Sequence, residues 1–231
     1  MAGRLEVCDL GTDVDYAAAA ALQDVCHAGR RAGTRHDTLL LLEHAPVYTL
    51  GRSAKPDHIR WDADALRAAG IACVTTTRGG DVTYHGPGQL VGYPILHLAQ
   101  RGMGVLDYIQ AVEESLIRAL AACGLAQAGR DARNRGVWVG NDKIAAIGIR
   151  VSHQVTAHGF ALNVNTRLAD YAGIVPCGLA DAGVTSLARS LGRAVDMAIV
   201  KQQVVAAFGV VFGYDEVVLA PAPTRPPQGP P

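Results

Sequence analysis

Apolar residues recur along the chain with two periods, the alternation typical of strands and the three-to-four-residue spacing typical of helices. The apolar pattern predicts strands at 4–10 and 71–77, and the continuous apolar run at 38–44 predicts a buried strand. A further strand is expected at 88–98, with Pro94 near a sheet edge or a bulge because proline has no amide hydrogen to donate. The chain is therefore expected to build at least one sheet.

The clearest helix is predicted at 104–124, where apolar residues recur every three or four positions and Gly124 provides a natural stop. Thr12, followed three residues later by Asp15, resembles a capping pattern and predicts a helix that runs to about Ala32. Further helices are expected at 62–69, 184–191 and 196–208.

The order of these elements indicates the fold class. Two apolar strands flank the residues "GND" at 140–142, which predicts a tight hairpin. Strands mostly follow strands, with helices interspersed, so we expect an α/β fold of the α+β type, with mixed, largely antiparallel sheets and packed helices. One domain is expected over residues 1–219, followed by a disordered proline-rich tail at 220–231.

Composition narrows the class of protein. The 231 residues are 49% hydrophobic and 18% charged, which is typical of a globular chain that buries a core. No apolar run approaches the roughly 20 residues of a membrane span, and the first residues lack the apolar stretch of a signal peptide. We therefore expect a cytoplasmic protein. Its formal net charge of zero gives no overall field that would recruit nucleic acid or membrane.

The cysteines are Cys8, Cys26, Cys73, Cys123 and Cys177. Their number is odd and no C-x-x-C pair occurs, so neither a disulfide framework nor a zinc site is expected. The first four lie in strand or helix patterns, where a cysteine is most simply a small core residue. Cys177 lies in the loop sequence "IVPCGL", between a proline and a glycine. It is either an apolar filler or a thiol that a substrate can reach.

The segment 77–94 carries more glycine than packing needs. It holds five glycines together with Tyr84 and His85. It is either a glycine-rich hairpin or a loop whose backbone approaches a ligand closely. It lacks the G-K-[ST] ending of a phosphate-binding loop, and no helix follows it as in a dinucleotide fold.

Three polar residues in the following strands stand out. Lys143 shares a strand face with Ala145 and Ile147, so it marks either the frayed end of the strand or a site. Only three of the 21 basic residues are lysines, and a lysine, unlike an arginine, can lose its proton. His153 and His158 are five residues apart, on opposite faces of a strand, which makes them a poor metal pair. A single strand histidine is most simply a core residue.

Taken together, these stretches resemble the lipoyl(octanoyl) transferase family, the octanoyl-[acyl-carrier-protein]:protein N-octanoyltransferases. The similarity is carried by residues 78–95, 136–151 and 158–164, and by "IVPCGL" with the "GVTSL" that follows at 183–187. It extends over most of the chain. The resemblance implies a fold similar to the catalytic domains of biotin and lipoate protein ligases.

The resemblance also implies the reaction. An octanoyl group would pass from octanoyl-acyl carrier protein to a lysine of lipoyl domains, in lipoate biosynthesis. The implied acceptors are the lipoyl domains of 2-oxoacid dehydrogenases and the glycine cleavage H protein, with no nucleic acid, no membrane, no ATP and no metal. Cys177 corresponds to the nucleophile of the family, which forms a thioester acyl-enzyme. Lys143 corresponds to its partner, an ammonium that would lower the pKa of the thiol and carry a proton.

The substrate site implied by the resemblance is built from small residues. Such residues leave a slot for an alkyl chain and expose N–H groups for the thioester oxygen. The substrate-binding residues by this correspondence are Arg78, Gly79, Gly80, Asp81, Val82, Thr83, Tyr84, His85, Ala146, Ile147, Gly148, His158, Gly159, Phe160 and Ala161. The sequence departs from the family at His153 and Gln154, where an aromatic residue is expected nearby. Arginines expected to face an acidic carrier protein are Arg52, Arg101, Arg133, Arg135 and Arg150.

Three other functions remain open. An ATP-dependent lipoate or biotin protein ligase has the same broad fold, but it needs a nucleotide site and no cysteine nucleophile. A non-catalytic module that binds acyl carrier or lipoyl domains is expected to lack Cys177 or Lys143. A thiol-redox protein is disfavoured because Cys177 has no resolving cysteine beside it in the sequence.

Overall fold

A computed structural model describes residues 3–175 and 182–223. Strands and α-helices alternate irregularly along these residues. The strands are β1 (Arg4–Asp9), β2 (Asp37–Leu42), β3 (Val47–Leu50), β4 (Ala72–Thr75), β5 (Val82–His85), β6 (Gln89–Ile95), β7 (Gly136–Val139), β8 (Asp142–Ser152), β9 (Val155–Asn163), β10 (Gly183–Val184) and β11 (Glu216–Leu219). The helices are α1 (Tyr16–Arg31), α2 (Ala63–Ala69), α3 (Val105–Ala122), α4 (Leu187–Leu191) and α5 (Met197–Phe212).

The strands form two sheets. The larger has the order β10-β8-β9-β6-β2-β1-β11, with β7 paired to β8, and the smaller has the order β4-β3-β5. The central ladders that join β8, β9, β6 and β2 are antiparallel, whereas β1 pairs in parallel with β2 and β11. The predicted mixed, largely antiparallel α+β fold is confirmed.

The larger sheet is covered on both faces, which explains the continuous apolar run of β2. Leu39 and Leu41 join a core cluster that includes residues of α3 and α5. Leu40 and Leu42 join a second cluster that includes residues of α1. Strands buried on both faces need apolar residues at every position rather than at alternate ones. Among the described helices, none combines the length and the apolar character that crossing a membrane requires.

Several element boundaries differ from the sequence predictions. Helix α1 begins after Asp15, whose carboxylate accepts a hydrogen bond from the Ala18 N–H at 2.9 Å, so the predicted start at Thr12 is wrong. Gly11 and Asp13 have φ values of 80° and 57°, and this turn keeps the preceding residues out of the helix. The sequence patterns missed β3, β5 and β11. The predicted tail lies outside the described residues from 224 onward.

Pro94 lies in an interior strand rather than at a sheet edge. The ladder between β6 and β9 stops at the pair Gly92–Phe160, two residues before Pro94. Beside this point His158 has a φ of 58°, which interrupts regular strand geometry. The missing amide hydrogen of Pro94 is tolerated because the ladder is already broken there.

The cysteines outside the "PCG" loop divide into two groups. Cys8 and Cys26 are buried as predicted, and burial raises the pKa of the Cys26 thiol to about 11. Cys73 is exposed, so its assignment to the core is wrong, and Cys123 is only half-buried. The cause at Cys73 is that β4 forms an edge of the smaller sheet and is largely exposed.

A buried carboxylate ties the ends of several elements together. Asp37 is 5% exposed and accepts hydrogen bonds from Arg30 Nε at 2.6 Å, Arg101 Nη1 at 3.1 Å and the Tyr214 hydroxyl at 2.9 Å. Arg101 also donates to the carbonyl oxygen of Phe212, and its guanidinium lies 4.1 Å from the centre of the Tyr214 ring. The expectation that Arg101 faces a carrier protein is therefore wrong, because its side chain is held inside the fold.

We expect Asp37→Asn to lower the free energy of unfolding by about 3 kcal/mol, because it leaves two buried guanidinium groups without their counter-charge. Urea unfolding followed by circular dichroism measures the change. The matched control is Asp64→Asn, which removes an exposed ion pair with Arg67 and should cost less than about 1 kcal/mol. Equal stabilities of the two variants would contradict the structural role of Asp37.

Candidate active site

A cavity of about 270 Å³ lies where β5 and the loop before it meet β8 and β9. Every predicted substrate residue except Gly79 and Tyr84 lines this cavity, and so does Lys143. The predicted residues that line it are Arg78, Gly80, Asp81, Val82, Thr83, His85, Ala146, Ile147, Gly148, His158, Gly159, Phe160 and Ala161. Positions that the sequence places far apart therefore meet around one space.

The β8–β9 ladder keeps one wall of the cavity free of bulky side chains. Ala146 pairs with Ala161, and Gly148 pairs with Gly159. Directly opposite residues of an antiparallel pair lie on the same face of the sheet. A Cβ atom on Gly159 would lie 2.2 Å from the carbonyl oxygen of Gly92, so no larger residue fits there.

The loop before β5 is anchored to both sheets. The Gly79 N–H donates to the carbonyl oxygen of Ile149 at 2.8 Å, which attaches the loop to β8. The buried guanidinium of Arg78 donates from Nε to the Thr49 hydroxyl at 3.1 Å and from Nη2 to the Thr49 carbonyl oxygen at 2.5 Å. Gly79 thus lies outside the cavity lining but fixes the loop that forms it.

Tyr84 points away from the cavity. Its hydroxyl donates to the Asp170 carboxylate at 2.7 Å, and its ring packs edge-on against Tyr48 and Tyr171. Burial raises the pKa of the Tyr84 hydroxyl, so the group is a neutral donor. The Tyr84 side chain belongs to the core cluster beneath the smaller sheet, as does that of Val82, which also lines the cavity.

His85 is a neutral imidazole in a fixed tautomer. The Gln89 side-chain nitrogen donates to the Tyr84 carbonyl oxygen and to the Asn163 side-chain oxygen, each at 3.0 Å, so the Gln89 oxygen is the acceptor for His85 Nδ1–H at 2.8 Å. His85 Nε2 is then an acceptor for the Thr49 hydroxyl at 3.3 Å, which in turn accepts from Arg78. Burial holds the pKa of His85 well below its ordinary value. The hydrogen bonds that run from Gln89 through His85 and Thr49 thus orient the Arg78 guanidinium at the cavity wall.

His44 and Tyr93 form a second fixed pair, which sequence reasoning missed. His44 Nδ1–H donates to the Val14 carbonyl oxygen at 2.9 Å, so Nε2 accepts the Tyr93 O–H at 2.6 Å. Burial lowers the pKa of His44. Tyr93 lines the cavity with Tyr16, Ser53 and Asn134, none of which was predicted. The available signal was His44, a polar residue at the end of the apolar run at 38–44.

His158 occupies a strained backbone position within β9. Its φ of 58° is uncommon for a residue other than glycine, and its N–H donates to the Gln23 side-chain oxygen at 2.8 Å. Its Nε2 lies 3.2 Å from the Thr77 hydroxyl oxygen. Burial, followed by the charges of Arg150 and Arg78, lowers the pKa of His158 to about 4. At neutral pH the cavity therefore contains an uncharged imidazole here.

Lys143 is buried rather than at a frayed strand end, with 7% of its surface exposed. Its ammonium donates to the Arg135 carbonyl oxygen at 3.1 Å and lies 4.8 Å from the centre of the Trp138 ring. The N–H of Gly136, next to Arg135, donates to the buried carboxylate of Glu113 at 2.9 Å. Helix α3 thus fixes the loop that supplies the acceptor for Lys143.

Cys177 lies outside the described residues, as do its neighbours from 176 to 181. The described chain after this segment joins the lysine strand, because Gly183 pairs with Asp142 and Val184 with Lys143. The N–H of Thr185 also donates to the carbonyl oxygen of Lys143 at 3.0 Å. The role of Cys177 stays a prediction.

The remaining arginines expected to face a carrier protein differ in exposure. Arg52 and Arg135 are exposed. Arg133 pairs with Asp131, lowering the pKa of that carboxyl to about 2 through side-chain hydrogen bonds, and its guanidinium lies 4.9 Å from the centre of the Trp138 ring. The ring of Trp138 thus contacts two cations, one exposed and one buried.

Comparison with known families gives a near full-length match. The family model for the lipoyl protein ligase A/B catalytic domain matches residues 15–209. An octanoyltransferase from Alkaliphilus metalliredigens (strain QYMF) is 47% identical over 211 residues, which are 91% of this chain and 96% of that relative. An octanoyltransferase from Chloroflexus aurantiacus (strain ATCC 29366 / DSM 635 / J-10-fl) is 48% identical over 210 residues, 90% of this chain and 94% of the relative.

Solved structures share the fold at low sequence identity. The structure of a bipartite lipoate protein ligase and its E2 lipoyl domain from Thermoplasma acidophilum matches with a TM-score of 0.74 at 19% identity, covering 96% of this chain and 87% of that one. Lipoate-protein ligase A bound with ATP matches with a TM-score of 0.74 at 15% identity, covering 96% and 89%. The predicted likeness to the catalytic domains of lipoate ligases is confirmed.

We expect acid to destabilise the protein partly through His158. Its pKa is about 4 in the folded protein and about 6.5 when unfolded, so the unfolded state binds the proton more readily and stability falls as pH drops through this range. The variant His158→Asn removes the titrating imidazole, and asparagine tolerates the positive φ at this position. Between about pH 7 and about pH 4, the free energy of unfolding of this variant should fall by about 2 kcal/mol less than that of wild type.

Urea unfolding at the two pH values gives the difference. His36→Asn, which removes an exposed histidine, controls for the loss of one titratable side chain. A His158→Asn variant that loses as much stability on acidification as wild type would show that this imidazole is not buried uncharged.

Proposed function

This chain belongs to the lipoyl protein ligase A/B catalytic-domain family, and we propose that its cavity holds the octanoyl group that it transfers. The chain is an acyltransferase of the octanoyltransferase kind and acts in protein lipoylation, by its near full-length match to octanoyltransferases. The observation that carries the assignment of the site is that Lys143 and the small residues of β8 and β9 share one cavity.

A lipoyl domain is the acceptor. The Thermoplasma acidophilum lipoylation system of the same fold comprises a bipartite lipoate protein ligase and its E2 lipoyl domain. For this chain we infer the lipoyl domains of 2-oxoacid dehydrogenases and the glycine cleavage H protein as acceptors, octanoyl-acyl carrier protein as the donor, and the cytoplasm as the compartment. The exposed Arg52 and Arg135 supply positive charge for an acidic carrier.

In the proposed first step Cys177 is the nucleophile. Its thiol gives a proton to Lys143, and the thiolate attacks the octanoyl thioester carbonyl. The new C–S bond forms as the bond to the carrier sulfur breaks, and Lys143 returns the proton to that departing sulfur. The Arg135 carbonyl oxygen and the Trp138 ring fix the position of the Lys143 nitrogen, and an ammonium formed there beside Cys177 stabilises the thiolate.

In the proposed second step the acyl-enzyme reacts with the lysine amine of the lipoyl domain. The amine nitrogen attacks the thioester carbonyl, the C–S bond to Cys177 breaks, and Lys143, now neutral, accepts the proton that the amine loses. This restores the thiolate and the ammonium. Arginine cannot accept a proton at neutral pH, so lysine is the residue type that both steps require.

The proposed reaction uses neither ATP nor a metal. A thioester is already an activated acyl group, so no adenylate has to be formed before the transfer. An ATP-dependent ligase would instead activate a free acid, as the fold shared with an ATP-bound lipoate-protein ligase A allows. The two functions differ in their donor: octanoyl thioester alone in one, and free octanoate with ATP in the other.

Intact-protein mass spectrometry with octanoyl-acyl carrier protein, without ATP, tests the proposal. Wild type should gain one octanoyl group that hydroxylamine removes and that a lipoyl domain discharges. Cys177→Ser should gain no hydroxylamine-labile octanoyl group. The variant Lys143→Arg should become octanoylated about a hundredfold more slowly than wild type, because arginine keeps the positive charge but cannot exchange the proton.

The matched control is Cys73→Ser, which removes an exposed thiol at the edge of the smaller sheet and should acylate as wild type does. A labile adduct that persists in Cys177→Ser would place the nucleophile at another cysteine. An unmodified wild-type protein that transfers octanoate only when ATP is added would assign the chain to the ligases.

A further inference from the structure

Two buried polar atoms in the cavity have no hydrogen-bond partner among the described residues. They are the hydroxyl of Tyr16 and Nδ1 of His158, on side chains of residues that are 7% and 8% exposed. Thr76 lies near the Tyr16 hydroxyl but outside hydrogen-bonding geometry. Buried polar groups without partners are costly, and two of them lining one cavity indicate a ligand that bonds to both.

Tyr93 lies between these two groups. Its ring meets the His158 ring edge-on, with 6.4 Å between the centroids, and its hydroxyl bonds to His44. The His44 ring is in turn 5.1 Å from the Tyr16 ring. Because the Tyr93 proton is directed to His44, the lone pairs of its oxygen are left for an additional donor. Tyr16, Tyr93 and His158 therefore form one polar cluster, the inner subsite.

The inner subsite lies away from Lys143. His158 pairs with Ile149, six residues along β8 from Lys143. All three residues of the subsite are buried, whereas Ser53 in the same lining is exposed. If the reacting thioester lies beside Lys143, the subsite faces the far end of the acyl chain.

The chemistry of the inner subsite matches a hydroxyl group. The Tyr16 hydroxyl donates or accepts by rotation, His158 Nδ1 is a donor in one tautomer and an acceptor in the other, and Tyr93 offers lone pairs. A hydroxyl both donates and accepts, so it satisfies the set in either tautomer. Burial keeps His44 and His158 uncharged at neutral pH. The Arg78 guanidinium, whose charge acts on Tyr16, Tyr93 and His158, already donates to Thr49 and to the Gly79 carbonyl oxygen, so a neutral ligand suits the subsite.

The positioning of His158 indicates that the subsite is built rather than incidental. Its φ of 58° turns the side chain out of the regular strand alternation, and Gln23 from α1 holds its N–H. Backbone strain of this kind persists only where the surrounding structure imposes it, and it concentrates at functional sites.

We propose that the inner subsite, formed by Tyr16, Tyr93 and His158, binds a hydroxyl group near the far end of the acyl chain, so that the protein also transfers ω-hydroxylated medium-chain acyl groups. This inference rests on the proposed function, because it places the thioester beside Lys143. The hydroxyl takes no part in bond making, and the transfer itself is the same thioester-to-amide reaction.

Transfer to a lipoyl domain from the octanoyl and the ω-hydroxyoctanoyl thioesters of acyl carrier protein tests this inference. The measured quantity is the ratio of kcat/KM for the hydroxylated donor to that for octanoyl. Tyr16→Phe should lower this ratio about tenfold, because the hydroxyl loses its partner in a buried site. Tyr93→Phe should lower it as well, and Tyr214→Phe, which removes a hydroxyl bonded to Asp37, should leave it unchanged.

The outcomes separate the two levels of the proposal. Wild type that transfers neither thioester without ATP would refute the proposed function. Wild type that transfers octanoyl, with the same ratio in wild type, Tyr16→Phe and Tyr93→Phe, would refute the hydroxyl subsite and leave water as its occupant. A ratio that falls in both variants but not in Tyr214→Phe supports the subsite.

Discussion

The register between β8 and β9 determines which side chains face the cavity. It sets Ala146 opposite Ala161 and Gly148 opposite Gly159. Because successive side chains alternate between the two faces of a sheet, a shift of β9 by one residue would exchange these small residues for their larger neighbours. The Gly79 N–H bond to Ile149 and the pairing of Val184 with Lys143 are both made to β8, so the loop and the lysine segment are attached to the same strand of this ladder.

The electrostatics of the cavity are set by burial. Lys143 is held by a carbonyl oxygen and an aromatic ring, both of which suit an ammonium. His44, His85 and His158 are all kept neutral by burial, and the first two have fixed tautomers. Because these three imidazoles are uncharged, a thioester carbonyl and an alkyl chain in the cavity do not meet an imidazolium, and proton transfer can be confined to Lys143.

Much of this arrangement could be predicted from the sequence, and the parts that could not have physical causes. The apolar run of β2 and the spacing in α3 report burial directly, so both elements were found. The Lys143 strand and the cavity segments were found only because several motifs occurred together. His44 and Tyr93 were missed because their pairing joins two strands distant in sequence, which no local pattern records. The exposure of Cys73 depends on β4 forming a sheet edge, a property of topology rather than of composition.

The central claim is that one cavity serves two half-reactions joined by an acyl-enzyme. It is tested most directly by isotope exchange: octanoyl-acyl carrier protein is mixed with isotopically labelled, deacylated carrier protein and the enzyme, without a lipoyl domain. A covalent intermediate predicts that the octanoyl group moves onto the labelled carrier, because the first half-reaction is reversible without an acceptor. Octanoyl transfer that occurs only when a lipoyl domain is present, with no exchange in its absence, would contradict the acyl-enzyme.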